Sequence, residues 1–281
     1  MRDKTVVMTG ATSGIGEVAA LRLASMGARL IIVARDRARG RATLAKLEAA
    51  APGLGHTVHY ADLSQLAEVK RLGAEIAAAE PRIDVLVNNA GAIFASRGVT
   101  ADGLERTFAL NHMSYFILTQ ALTERLVASA PARIVNTASN AHRKGRLDFA
   151  DLQLAKSYSP SVAYGTSKLA NILFTRELAR RLAPQRVTAN SFSPGFVATR
   201  FGNQAGGLVA LYLRIAKLFA GTQEQGAETL VWLASAPEAA ASSGDYFYRG
   251  QRGTLTADAQ DDTLATRLWD VSEEIALKAS A

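Results

Sequence analysis

KTVVMTGATSGIGEVAALRLASM, residues 4–26, decides the fold of this chain. The run Lys4 to Thr9 is apolar and β-branched and stops at Gly10, as a buried strand does. From Glu17 to Met26 an Ala/Leu-rich pattern reads as helix. Gly10, Gly14 and Gly16 stand between them, with Ala11, Thr12, Ser13 and Ile15. Glycines at a strand-to-helix junction let the backbone approach a pyrophosphate, and the helix start offers free N–H groups and a positive dipole end. The spacing is Thr-Gly-x-x-x-Gly-x-Gly rather than Gly-x-Gly-x-x-Gly, with the same mechanics. A plain tight turn is the competing reading, and the strand before and helix after favour the nucleotide loop.

Outward from this unit, strand-like runs alternate with helical ones. Strands are expected at 29–34, 56–60, 83–88, 133–137, 186–191 and 245–248. Helices are expected at roughly 37–50, 64–80, 102–129, 161–182 and 223–235. That alternation predicts an α/β fold with one doubly wound parallel sheet covered on both faces. One domain over 1–281 is expected, with 1–140 mainly binding cofactor and 141–281 carrying the catalytic helix and a substrate lid. Ligand belongs at the carboxyl ends of the strands. The glycine loop, Asp62, Asn88-Asn89-Ala90-Gly91, Ser139 and Pro194-Gly195 all follow predicted strands, so they converge on one edge.

Composition narrows the chemistry. The 281 residues suit one full-sized core, and 48% hydrophobic with 20% charged residues is ordinary for a globular chain. There is no cysteine, and four scattered histidines lack ligand spacing, so no metal site is expected. The net charge of +7 is spread along the chain without a basic, aromatic-interleaved stripe. Nucleic acid is therefore not an expected partner, although the charge favours capture of an anionic dinucleotide. The chain enters its first strand directly, so no signal peptide or membrane anchor is expected. The longest apolar stretch, Gly206 to Ala220, is interrupted by Arg214 and Lys217 and is too short to span a bilayer. No stable membrane insertion and a cytoplasmic location are the expectations.

Tyr164 and Lys168, in Ala163-Tyr164-Gly165-Thr166-Ser167-Lys168, are four residues apart in a predicted helix and share a face. A free phenol titrates near about 10, and a neighbouring cation pulls that value toward the working range. Such a pair is common on ordinary helices, and the surrounding motifs give it weight here.

Together these motifs resemble the classical short-chain dehydrogenase/reductase family over essentially the whole chain. The resemblance rests on Thr9-Gly10-(x3)-Gly14-x-Gly16, Asp62-Leu63, Asn88-Asn89-Ala90-Gly91, Asn111, Ser139, Tyr164-(x3)-Lys168 and Pro194-Gly195. It is similar in particular to the retinol-dehydrogenase-like branch, through Ala34-Arg35-Asp36, Phe108-Ala109-Leu110-Asn111-His112 and residues 147–182. One expected departure is the lack of the N-terminal hydrophobic anchor that many membrane-bound members carry.

The chemistry and the resemblance together assign roles. Tyr164 is the expected acid/base, Ser139 holds the substrate oxygen, and the resemblance gives Lys168 a bond to the nicotinamide ribose. Asn111, in a predicted helix, is similar to the family residue that supports a water-linked proton relay. For Ser139 the bland reading is a turn cap, and for Asn111 a buried helical polar residue. His142 lies close enough to Ser139 to line the substrate cleft, although a structural role is the stronger reading for it and for His112. The resemblance implies that Asp62 and Leu63 frame the adenine and that Asn89, Ala90 and Gly91 line the adenosine ribose. It places Pro194, Gly195, Val197 and Thr199 on the nicotinamide, with Thr199 at the carboxamide.

Cofactor choice is read at the end of the second strand, where an acidic residue would accept from a free ribose 2′-hydroxyl. Here Ala34 occupies that position and Arg35 follows, and a guanidinium pairs with a 2′-phosphate. Ser13, with Thr12, adds a hydroxyl donor. NADP(H) is the expected cofactor, with NAD(H) as the alternative, and Asp36 is expected to point away. Residues 206–220 read as a mobile lid over a lipophilic cleft or equally as a fixed helix. The expected substrate is a small hydrophobic carbonyl or alcohol: a retinoid-like aldehyde, a steroid or a polyketide ketone. A tailoring ketoreductase of secondary metabolism and a non-catalytic NADP(H)-sensing regulator are the alternatives. The sequence leaves assembly as a homodimer or homotetramer open.

Overall fold

The computed structural model describes residues 1–195 and 221–278. Its strands are β1 (Thr5–Thr9), β2 (Arg29–Ala34), β3 (Thr57–Tyr60), β4 (Val85–Asn88), β5 (Ala132–Thr137), β6 (Val187–Ser193), β7 (Tyr246–Tyr248) and β8 (Gln251–Arg252). They form one sheet in the order β3-β2-β1-β4-β5-β6-β7-β8. Neighbours from β3 to β7 are parallel, and β8 runs antiparallel on β7. The helices are α1 (Gly14–Ser25), α2 (Arg37–Ala50), α3 (Leu66–Ala79), α4 (Arg106–Phe108), α5 (Ser114–Ala128), α6 (Pro160–Leu182), α7 (Gln223–Ser235) and α8 (Asp262–Lys278).

Strand side chains alternate between faces, and both faces are buried. Val7, Ile31, Leu86 and Ile134 join a core with α3, α5, α6 and α8. Val6, Met8, Leu30, Ile32 and Val87 join a second core with α1, α2 and α7. The doubly wound sheet expected from the sequence is therefore the observed one. Its order reverses between β1 and β4, which opens a crevice at their carboxyl ends.

Two differences from the sequence reading have local causes. The helix expected over 102–129 starts only at Arg106, because Thr100 to Gly103 turns with Gly103 at φ +77°. The buried Glu105 carboxylate then accepts from the backbone N–H groups of Thr107 (2.8 Å) and Phe108 (2.9 Å). Between α4 and α5, residues Ala109–Met113 form a wider π-turn. The second difference is α8, absent from the sequence reading. It buries Ala265, Leu268, Trp269 and Ser272, with Trp269 against Phe116 and Phe174 at centroid distances of 5.0 and 5.8 Å. Among the described residues, no helix is long and apolar enough to cross a membrane.

Candidate active site

At the β1/β4 crevice the backbone is packed too closely for side chains. Gly10 has φ +68°, and a Cβ there would sit 2.8 Å from Ala90 Cα. A Cβ on Gly16, inside α1, would lie 2.0 Å from the Gly10 carbonyl oxygen. The leading N–H groups of α1 at Gly14, Ile15 and Gly16 thus face a bare backbone surface, suited to a pyrophosphate. Ser13 occupies the N-cap position, and its side chain makes no cap hydrogen bond; Thr12 beside it is half-buried. This cradle fits a dinucleotide.

Around the loop, the Thr9 hydroxyl accepts from the backbone N–H groups of Asn89 (2.9 Å) and Ala90 (3.1 Å). Asn89 donates through Nδ2 to the Gly10 carbonyl (3.1 Å) and accepts from Thr137 Oγ1 (3.1 Å). Asp62 shapes the turn after β3, its Oδ1 accepting from Ser64 N–H (3.0 Å) and Oγ (2.8 Å), while Leu63 is buried in the core. At the end of β2, Ala34 is buried and Arg35 is exposed. Asp36 accepts from Arg39 N–H (2.9 Å) and caps α2. That backbone hydrogen bond is the main cause holding its carboxyl below the usual range. The Asp36 carboxylate is therefore committed to its helix.

Four sequence-predicted catalytic residues meet beyond β4 and β5. Ser139 caps the short 3₁₀ turn Asn140–Lys144 by accepting from Ala141 N–H (3.1 Å), and it also hydrogen-bonds the Tyr164 phenol. The cap reading of Ser139 is therefore the observed one, and the same hydroxyl also faces Tyr164. Lys168 is 2% exposed and donates from Nζ to the Thr137 carbonyl (2.9 Å). Its Nζ lies 5.5 Å from the Tyr164 ring centroid and 5.6 Å from that of Tyr115. Asn111 sits in the π-turn rather than a regular helix. Its amide pairs with the Ala92 backbone in both directions (2.9 Å each) and donates to Ser167 Oγ (3.0 Å). Gly91 is wedged beside them, with space for a Cβ only 3.2 Å from Asn111 Oδ1 and 3.5 Å from Lys168 Nζ.

The electrostatics differ from the sequence expectation that Lys168 draws the phenol down. Burial pushes Tyr164 up to about 12, and the Ser139 hydrogen bond opposes that rise. Burial also pulls Lys168 down to about 7. Desolvation dominates both groups, and the ammonium is bonded to a carbonyl rather than to the phenol.

Pro194 and Gly195 follow β6, and Gly195 N–H donates to Ser193 Oγ (3.3 Å). Val197, Thr199 and the 206–220 segment lie outside the described residues. Sequence reasoning gave Thr9 a place in the glycine motif but did not single out Thr137, Tyr115 or Asn171, which the structure bonds to these residues. Tyr115 donates to the Ala90 carbonyl (2.9 Å), and Asn171 Nδ2 to the Asn111 carbonyl (2.9 Å). The available signal was a polar side chain inside an otherwise buried run, since such a group needs partners. His142 is buried: its Nδ1 donates to the Ser139 carbonyl (2.8 Å) and its ring meets Tyr246 edge-on at 5.3 Å. Among the described residues, no cluster of metal-ligating side chains occurs.

Comparison with known proteins identifies the family. The chain is 40% identical to human (Homo sapiens) retinol dehydrogenase 14, over 97% of this chain and 86% of that protein. It is 41% identical to a Streptomyces sp. (strain C5) protein provisionally named daunorubicin C-13 ketoreductase DnrU, covering 96% of this chain and 91% of the relative. A short chain dehydrogenase from Burkholderia cenocepacia J2315, solved in complex with NADP, superposes with a TM-score of 0.69. The identity is 28%, with 88% of this chain and 96% of that one covered. Residues 4–206 match the short chain dehydrogenase family itself. With the glycine cradle, the reversed sheet order and the Ser139–Tyr164–Lys168 cluster in place, the chain belongs to the short-chain dehydrogenase/reductase family, in its retinol-dehydrogenase-like branch, and is an oxidoreductase acting on CH–OH and C=O groups.

Proposed function

We propose that this enzyme is NADP(H)-dependent and interconverts a hydrophobic ketone or aldehyde with its alcohol, using Tyr164 as the acid/base. The observation that carries the reading is the convergence of Ser139, Tyr164, Lys168 and Asn111 beside Gly91 at the carboxyl edge of the sheet. The names of the retinol dehydrogenase and ketoreductase relatives, and the NADP-bound neighbour, support it. The glycine cradle would hold the pyrophosphate, Arg35 the 2′-phosphate and Lys168 the nicotinamide ribose. Asp62, Leu63, Asn89, Ala90 and Gly91 would frame the adenosine, and residues 194–199 the nicotinamide. The bound cofactor supplies or takes up hydride.

The protein's own residues handle the oxygen and its proton. Ser139 Oγ, already on the phenol, holds the substrate oxygen and stabilises its developing charge. In reduction Tyr164 gives its phenolic proton to that oxygen as the C–H bond forms; in oxidation it removes the hydroxyl proton. Burial raises the Tyr164 phenol, which favours its protonated form, the form that donates in reduction. Lys168, held on the Thr137 carbonyl, lies near the Tyr164 ring and would stabilise the tyrosinate left after proton transfer, and the pairing of Asn111 with Ala92 keeps the π-turn beside it fixed.

The test is a panel of retinoid-like aldehydes, steroid ketones and polyketide ketones, followed by NADPH absorbance with NADH as control. Turnover of an apolar carbonyl with NADPH preferred is the expected result. Tight NADPH binding with no turnover in either direction would favour a nucleotide-sensing regulator instead. The intact Ser139, Tyr164, Lys168 and Asn111 argue against that alternative.

A further inference from the structure

Behind Lys168 lies a buried polar line that the reaction does not use directly. Asn171, one turn along α6 and fully buried, donates from Nδ2 to the Asn111 carbonyl (2.9 Å) and to the Thr137 carbonyl (3.2 Å). The Thr137 carbonyl is the same one that receives Lys168 Nζ. Two carbonyls can only accept, so the amide nitrogen must face them and Oδ1 must face away. Asn171 Oδ1 and His112 Nδ1 are both buried without a partner of good hydrogen-bond geometry. They are complementary, an acceptor and a donor once Nδ1 carries the proton, and a polar contribution from Asn171 raises the affinity of His112 for a proton. With Nδ1 protonated, His112 Nε2 accepts from the Ser272 hydroxyl of α8, 2.9 Å away. Burial pulls His112 down to about 4, so the ring is neutral at physiological pH, with one nitrogen donating and the other accepting. Phe108, Phe116 and Phe174 enclose the imidazole at centroid distances of 5.0, 6.5 and 6.0 Å.

We propose that Asn171, oriented by His112 and anchored through Ser272, is a positioning residue for Lys168 and for the Asn111 carbonyl. The C-terminal helix α8 thereby takes part in setting the catalytic lysine, although none of its described residues bonds Lys168. Asn171 divides the Thr137 carbonyl with the ammonium and holds the π-turn carbonyl on the same amide. This rests on the proposed role of Lys168, but the positioning itself can be measured without substrate. The titratable groups facing Lys168 are the Tyr164 phenol from its own helix and the Tyr115 phenol from α5.

The experiment is an NMR titration of the full chain with lysines carbon-13-labelled at Cε, Lys168→Met identifying the signal. Lys168 is expected to titrate near 7 in the wild type. Asn171→Leu leaves the Thr137 carbonyl to the ammonium alone, which favours the charged form and raises the midpoint by about one unit, tenfold in proton affinity. His112→Leu should move it the same way by less. His112→Asn, whose amide N–H stands where Nδ1–H does but which loses the Ser272 anchor, should restore it in part. Thermal melting reports whether each variant folds. Folded Asn171→Leu and His112→Leu with the wild-type midpoint would overturn the proposal. If Asn171→Leu does not fold, the His112→Leu and His112→Asn pair decides, and identical midpoints sink it. Turnover on the carbonyl panel is read separately, so a failure of the enzymatic reading leaves this outcome legible.

Discussion

Around β1, β2 and β4 the ligand edge of the sheet is shaped by backbone, whereas around β5 and α6 it is shaped by buried side chains. On the first side, Gly10 and Gly16 press against carbonyl and Cα atoms, and the polar side chain best placed for a phosphate, Arg35, is exposed. On the second, Lys168, Asn111 and Asn171 are all but fully buried and bonded to backbone carbonyls, Lys168 and Asn171 sharing that of Thr137. A backbone-built site tolerates solvent because its donors are fixed by the fold. A side-chain-built site in low dielectric shifts the proton affinities of its members, which is what acid/base work requires. The contrast predicts that substitutions on the two sides fail in different ways.

The largest expected effect is on the side-chain half. Tyr164→Phe keeps the ring packed and deletes the proton donor, so turnover should fall by about 10²–10⁴-fold with NADPH binding nearly intact. Single-turnover rates beside a cofactor titration would decide it, and retention of a tenth of the wild-type rate would remove Tyr164 from its role.

Next comes Lys168→Met, read as stability against pH. The folded-state value, about 7, lies below the free value of 10.5. Between those two the unfolded chain binds the extra proton, so stability rises with pH across the window, while below about 7 the buried charge is a constant burden. Met in its place should raise the melting temperature at neutral pH, with a gain on the order of a few kcal/mol, and flatten the slope. A variant as pH-dependent as the wild type between neutrality and pH 10.5 would show that Lys168 is not the titrating group.

On the backbone half, Gly16→Ala should cost about 1–3 kcal/mol of stability and weaken NADPH and NADH alike, because the new Cβ displaces the Gly10 carbonyl. Isothermal titration with both cofactors would expose any selective loss, which this account does not permit. The smallest effect is expected at Arg35. Its replacement by Ala should weaken NADPH about tenfold, at the lower end of a charge-assisted bond, and leave NADH unchanged. Added salt should erode the wild-type preference. Equal losses for both cofactors would assign Arg35 to general charge instead.

The backbone half was the more legible in the sequence. Glycine spacing records close approach directly, and the β-branched runs at 5–9 and 29–34 name their strands, so the fold and the loop could be placed from residues alone. The Ser139, Tyr164 and Lys168 cluster was also legible, through motif and order. What the sequence did not display was partnership. Nothing local says that Thr137 offers its carbonyl to Lys168, or that Glu105 cuts a helix short by capping it. The electrostatic expectation for Tyr164 failed for the same reason: spacing puts an ammonium beside a phenol, while burial of both is a property of the packed fold. By contrast α8 was readable and was missed, since Ala265, Leu268, Trp269, Ser272 and Ile275 recur at helical spacing.

Thr137 shows where the two constructions can be separated. Its hydroxyl reaches Asn89 on the nucleotide side, while its carbonyl carries Lys168 and Asn171 from α6. A carbonyl is supplied by any amino acid, so that anchor is indifferent to the side chain at 137; the link to Asn89 needs a hydroxyl. Recombining this chain with a relative just beyond β5 would carry the lysine's anchor across unchanged, whichever parent donated the strand. The α6 segment is in this sense portable only between nucleotide-binding halves that end the strand in Thr or Ser and also present Asn111, whose amide and carbonyl meet Ser167 and Asn171.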